Sequence, residues 1–112
     1  MKYYDEAVMG ATREAMEAAL SDWPGVTRTR MFGCPCYKAN ERLFAFLVTD
    51  GLVLTRLEKA EKDAAIKRFG GKPFRAGPKS VPGWPQLPLA TPAVLKRYLP
   101  LLRKSYSTAL AG

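Results

Sequence analysis

The sequence contains no histidine, which removes the commonest acid–base residue and the commonest metal ligand before any site is considered. It has only two cysteines, Cys34 and Cys36, one residue apart, a spacing that cannot staple distant parts of a chain. That suits a reducing compartment. The longest strongly apolar run, Leu43 to Val48, is far short of a membrane span, and Met1 to Ala7 lack the apolar core of a secretory leader. A cytoplasmic location with no membrane association is therefore expected. Acids are missing from a whole region: residues 64–112 carry nine Lys/Arg and no Asp or Glu, whereas residues 1–63 carry nine Lys/Arg and all ten acids. The net charge of +8 thus divides into −1 and +9. Such asymmetry points to a polyanionic partner or an acidic protein surface, or to a basic face that serves only solubility.

What is present describes one globular domain. A chain of 112 residues, 47% of them hydrophobic, is long enough to bury roughly two thirds of its unfolded surface. Tyr4, Val8, Ala11, Ala15 and Ala19 recur at helical spacing and predict a helix over 4–21, ended by Trp23-Pro24-Gly25. Four short strands are predicted next, Val26–Phe32, Pro35–Lys38, Arg42–Val48 and Leu52–Leu57, joined antiparallel by turns too short for crossovers. Asp50-Gly51 supplies the clearest hairpin turn and Asn40-Glu41 a weaker one. The period then becomes helical from Glu58 to about Arg68, with Leu57, Ala60, Ala64 and Ala65 inward and the pairs Glu58/Lys62 and Asp63/Lys67 four apart. Gly70-Gly71 stops this helix. Strands are expected near Phe74 and from Trp84 to Leu89 in a proline-rich stretch, before Thr91-Pro92 opens a last helix to about Leu110. On that helix Leu95, Leu99, Leu102, Tyr106 and Leu110 form an apolar stripe opposite Lys96, Arg97, Arg103 and Lys104, with Pro100 on the cationic side.

Arg30-Met31-Phe32-Gly33, Phe44-Ala45-Phe46-Leu47, Leu52-Val53-Leu54, Pro73-Phe74 and Trp84-Pro85-Gln86-Leu87-Pro88 follow one another in the order of motifs that mark the N-terminal domain of the TfoX competence-regulator family. The sequence resembles that family over about residues 5–108. Arg30, Met31, Phe32, Gly33, Phe44 and Trp84 then read as structural motif positions. Cys34 stands where members commonly carry a second glycine, and Thr55 where a lysine often ends the Leu-x-Leu strand. The resemblance implies a single stand-alone α+β domain, a two-layer sandwich of helix, antiparallel strands, helix, two strands and C-terminal helix. It implies a regulatory or adaptor role without catalytic residues, exercised by binding a macromolecule.

The residues themselves leave several chemistries open. Cys34-Pro35-Cys36 reads as a metal half-site, a redox pair or two small core fillers. A zinc site needs four ligands, which this chain could complete only with carboxylates or across a dimer, and a redox pair needs cations such as Arg28, Arg30 or Lys38 beside the thiolate. No metal and no cofactor is expected. The acids fall on predicted helix faces and turns, and no phosphate loop, dinucleotide loop or nucleophile elbow occurs, so no enzyme or small-molecule substrate is expected. For nucleic acid the usable cations are Lys67, Arg68, Lys72, Arg75, Lys79, Lys96, Arg97, Arg103 and Lys104, with Phe74 and Trp84 as stacking rings or as core anchors. The preferred expectation is a protein partner or self-association through exposed strand edges or the segment 72–88. Electrostatic, weakly sequence-specific nucleic-acid binding is the alternative.

Overall fold

Two-residue turns dictate how the sheet is assembled. Phe32 and Gly33 take φ of 54° and 79°, Asn40 and Glu41 take 53° and 66°, and Asp50 takes 57°, the left-handed values that tight hairpins demand. In the computed structural model, which describes residues 3–112, these turns join β1 (Val26–Met31), β2 (Cys34–Ala39), β3 (Arg42–Val48) and β4 (Gly51–Leu54) into a meander. The helix α1 (Glu6–Leu20) precedes it, and α2 (Lys59–Phe69), β5 (Lys72–Ala76), β6 (Lys79–Pro88) and α3 (Pro92–Ala111) follow. All pairings are antiparallel in the order β1-β2-β3-β4-β6-β5, so β1 and β5 are the edges. This is the expected α+β class and element order. One turn differs in detail: Val48 pairs with Gly51, so Thr49 and Asp50 form the loop and Gly51 opens β4. Gly51 is required there because a Cβ would lie 2.8 Å from Val48 Cγ2 and about 3 Å from the Gln86 side chain.

Cross-strand register separates the two faces of the sheet. Arg28, Tyr37, Ala45 and Leu54 form one row, and Leu47, Leu52 and Leu87 extend it. This row faces the helices: α3 packs on β2 and β3, α2 on β6, and α1 on α3. Thr29, Cys36, Phe46, Val53 and Gln86 form the opposite row. A bulge breaks the alternation in β3, because Tyr37 pairs with Ala45 and Lys38 with Leu43, leaving Phe44 as the extra residue. Phe44 consequently turns to the helices and meets the Tyr106 ring edge-on at 5.5 Å, while Phe46 points the other way onto Phe74 and Trp84.

Helix faces depart from the periodicity in instructive ways. In α1 the buried residues are Met9, Thr12, Met16 and Leu20, whereas Val8 is 53% exposed and Ala11 lies outward. Small alanines gain little by burial, so the longer methionines set the inward face. In α2 only Ala65 is fully buried and Ala60 and Ala64 are exposed, with Phe69 reaching the Tyr98 ring of α3 at 5.0 Å. Lys59 takes Asp63 at 2.8 Å in place of the Glu58/Lys62 and Asp63/Lys67 pairs expected from spacing, and the Glu58 N–H donates to Glu61 Oε1 at the helix start. In α3 Leu95, Leu102 and Tyr106 are buried as expected, joined by Tyr98, Ser105 and Ala109, while Leu110 is 38% exposed.

Ser105 ties α3 to the bulge. Its hydroxyl donates to the Phe44 carbonyl at 2.7 Å and accepts the Arg56 N–H at 3.1 Å, and the side chain is fully buried. Ser105→Ala leaves both backbone groups without this partner and is expected to cost about 1–3 kcal/mol in urea unfolding. Ser107→Ala, on the exposed face of the same helix, should change stability by less than about 0.5 kcal/mol.

Candidate functional site

The thiols were the only candidate for redox chemistry, and the fold places them in β2 on the face away from the helices. Both are buried and free. Burial raises the Cys34 thiol above its ordinary value and pushes Cys36 up to about 11, overriding the opposing pull of Arg30 and Lys38. A redox thiolate needs a shift in the other direction. Arg28 is committed to Glu17 at 2.8 Å, and an Arg30 guanidinium N–H donates to the Gly33 carbonyl at 3.1 Å. The packing therefore supports the core-filler alternative. Among the described residues no three potential ligands gather to hold a metal, and no helix is long and apolar enough to cross a membrane.

All nine cations of the C-terminal half are exposed, but they do not lie on one element or act alike. Lys67 and Arg68 end α2, Lys72 and Arg75 sit in β5, Lys79 begins β6, and Lys96, Arg97, Arg103 and Lys104 follow one another along α3. Arg68 covers the Phe69 ring at 5.0 Å, and Arg75 donates to the Pro78 carbonyl at 2.9 Å. Arg103 lies over Trp23 and Tyr106 at 4.8 and 5.0 Å, and Lys104 pairs with Glu61 at 3.0 Å. The expected cationic stripe of α3 is thus partly used in holding α3 to its neighbours. Phe74 is buried, and half-buried Trp84 packs on Phe46 with ring centroids 5.6 Å apart, the arrangement of core anchors.

The motif residues have separable roles. Phe44 fills the helix-facing core, and Met31 is half-buried on the opposite face. Phe32 and Gly33 form the β1–β2 turn, where Phe32 is 79% exposed and its ring lies 6.4 Å from Tyr3. An aromatic at positive φ and in solvent is unusual on both counts. Position within the Arg-Met-Phe-Gly motif gave no hint of that exposure.

Exposed strand edges were expected from the sequence, but not which strands supply them; they are β1 and β5. β5 is short and carries Pro73 and Arg75, both of which discourage pairing. β1 is longer, and Thr27, Arg28, Thr29 and Arg30 are all exposed. A two-residue turn closes on a hydrogen-bonded Met31–Cys34 pair, so the alternation along β1 directs the N–H and C=O groups of Arg28 and Arg30 outward.

The densest cluster of titratable groups lies on the helix side. Glu17 accepts from Arg13, Arg28 and the Tyr37 hydroxyl at 3.0, 2.8 and 3.0 Å, beside a cavity of about 310 Å³. Burial and the adjacent Glu17 raise the Tyr37 phenol well above its ordinary value. Glu6 accepts from Arg13 and from Tyr4, which lower its carboxyl to about 2. Every acid here faces a cation or a phenol, and the cluster links α1 to β1 and β2. Comparison with known protein families, with curated proteins and with solved structures gave no match.

Two outcomes are expected. Thiol titration at pH 7 should find Cys34 and Cys36 reacting more slowly than a free thiol until denaturant is added. The Glu6 carboxylate, its folded value depressed, stabilises the fold above its ordinary value near 4.5, and this contribution is lost as pH falls toward 2. Glu6→Gln should therefore flatten the acid limb of stability measured by thermal melts between those limits.

Proposed function

We propose that this chain is a non-enzymatic regulatory or adaptor domain, related to the TfoX N-terminal domain, that acts in the cytoplasm by binding a protein partner through the exposed β1 edge. The observation that carries this reading is the edge itself. β1 presents outward-directed backbone groups at Arg28 and Arg30 along an exposed strand, the geometry to which an extended segment adds by main-chain hydrogen bonds. The motif order over residues 5–108 and the α+β architecture support the family reading, and the buried neutral thiols support binding over chemistry.

Arg30→Pro tests the edge directly. Proline removes an outward N–H, leaves the β1–β2 ladder bonds in place and is tolerated at sheet edges. A partner captured by the wild-type protein, then purified and titrated by calorimetry, should bind Arg30→Pro at least about tenfold more weakly, equal to about 1.4 kcal/mol, with the melting temperature little changed. Unchanged affinity would reject the β1 edge. Duplex DNA bound with a steep salt dependence, and lost in Arg97→Ser with Lys96→Ser, would reject the protein reading in favour of nucleic acid.

A further inference from the structure

The sheet face away from the helices holds a cavity of about 410 Å³ lined mainly by apolar side chains, among them Met31, Cys34, Phe46, Phe74, Val81 and Trp84. It lies between the β1–β2 and β5–β6 hairpins. One end is walled by Tyr3, whose ring lies 5.9 Å from Phe74 and 6.4 Å from Phe32 and whose hydroxyl accepts the Gly77 N–H at 3.1 Å. Met31 also lines a second depression of about 410 Å³. That depression is bordered by Arg30, Lys38, Arg42 and Arg56 and by a single acid, Glu41.

The cations there differ in what they have left to offer. Arg42 donates to the Asn40 and Ala109 carbonyls at 3.5 Å, and Arg30 to the Gly33 carbonyl. Arg56 uses only Nε, on the Leu43 carbonyl at 3.2 Å, leaving its two terminal nitrogens, and neither Arg56 nor Lys38 has an ion pair among the described residues. Side-chain alternation puts Cys34, Cys36 and Lys38 on one face of β2, so Lys38 stands four residues from the cavity wall, roughly 13 Å by strand rise. An apolar cavity of this size with a few convergent polar groups at one end is the usual form of a small-ligand site.

We propose that this face binds a single-chain aliphatic carboxylate, its hydrocarbon chain in the cavity beside Trp84 and its carboxylate between Lys38 and Arg56. The chain replaces water against Phe46, Phe74 and Val81, and the head group meets two cations that lack anionic partners. The site uses the sheet face, whereas partner docking uses the backbone edge of β1, so either stands without the other.

Dodecanoate, below its micelle concentration, is the probe. The sequence has two tryptophans, and Trp23 packs against Tyr106 on the helix side, so a Trp23→Phe background leaves Trp84 as the reporter. Dodecanoate should give a saturable change in Trp84 emission and a matching calorimetric isotherm with the wild-type chain. Lys38→Gln and Arg56→Gln should each weaken dodecanoate by about tenfold while leaving dodecanol affinity unchanged. The proposal is overturned by the absence of saturable binding in wild-type calorimetry, by dodecyltrimethylammonium binding as tightly as dodecanoate, or by affinity indifferent to both substitutions. Binding to phosphatidylglycerol vesicles without binding of monomeric dodecanoate would overturn it in favour of a membrane surface.

Discussion

The bulge at Phe44 is the constraint on which both sides of the molecule depend. Regular alternation would send Phe44 and Phe46 to the same face, crowding one layer and emptying the other. Inserting one residue opposite the Tyr37–Lys38 step turns Phe44 toward Tyr106 and leaves Phe46 for Phe74 and Trp84. The bulged carbonyl accepts both the Thr55 N–H at 3.1 Å and the Ser105 hydroxyl. A helix residue thereby satisfies a sheet irregularity, and α3 is registered against β3 by a directional bond as well as by apolar contact.

From this follows the unequal character of the two faces. The helix side is covered by three amphipathic elements and locked at its margin by the Glu17 cluster, where Arg13 and Arg28 hold one carboxylate from two elements. The other side has aromatic rings from β3, β5 and β6 packed in tilted and edge-on contacts, with Tyr3 completing the cluster. A cavity persists among them, and Met31 lines both it and the depression that Lys38 and Arg56 border.

Element order was legible in the sequence because short strand-like runs are separated by Asp50-Gly51 and, more weakly, Asn40-Glu41, which favours a meander; the Phe32-Gly33 turn was not legible, since Phe32 looks like strand. The last helix was legible from Thr91-Pro92 and the spacing of Leu95, Leu102 and Tyr106. The inward face of α1 was not, since an alanine-rich helix offers several nearly equivalent stripes and tertiary contacts choose among them. Here Met9 and Met16 decide it, and Val8 is left in solvent. The bulge was hidden for a related reason. Leu43-Phe44-Ala45-Phe46-Leu47 is apolar throughout, and an all-apolar strand carries no alternation from which a register shift could be detected.

Charge was misleading along the chain for a reason that geometry makes plain. Residues 64–112 hold the entire excess of positive charge, yet Arg68, Arg75, Arg103 and Lys104 are engaged with a ring, a carbonyl, a ring pair and a carboxylate. Residues 1–63 are nearly neutral in sum, yet Glu6, Glu14 and Glu17 gather on α1 with Arg13 and Arg28, and Glu58, Glu61 and Asp63 sit at α2. Lys38 and Arg56 line one depression in which Glu41 is the single acid. Neutrality in a segment therefore conceals separation of charge across the sheet. An anion responds to the groups that folding places side by side, and Lys38 and Arg56 line one depression whereas the larger excess is spread over α2, β5, β6 and α3.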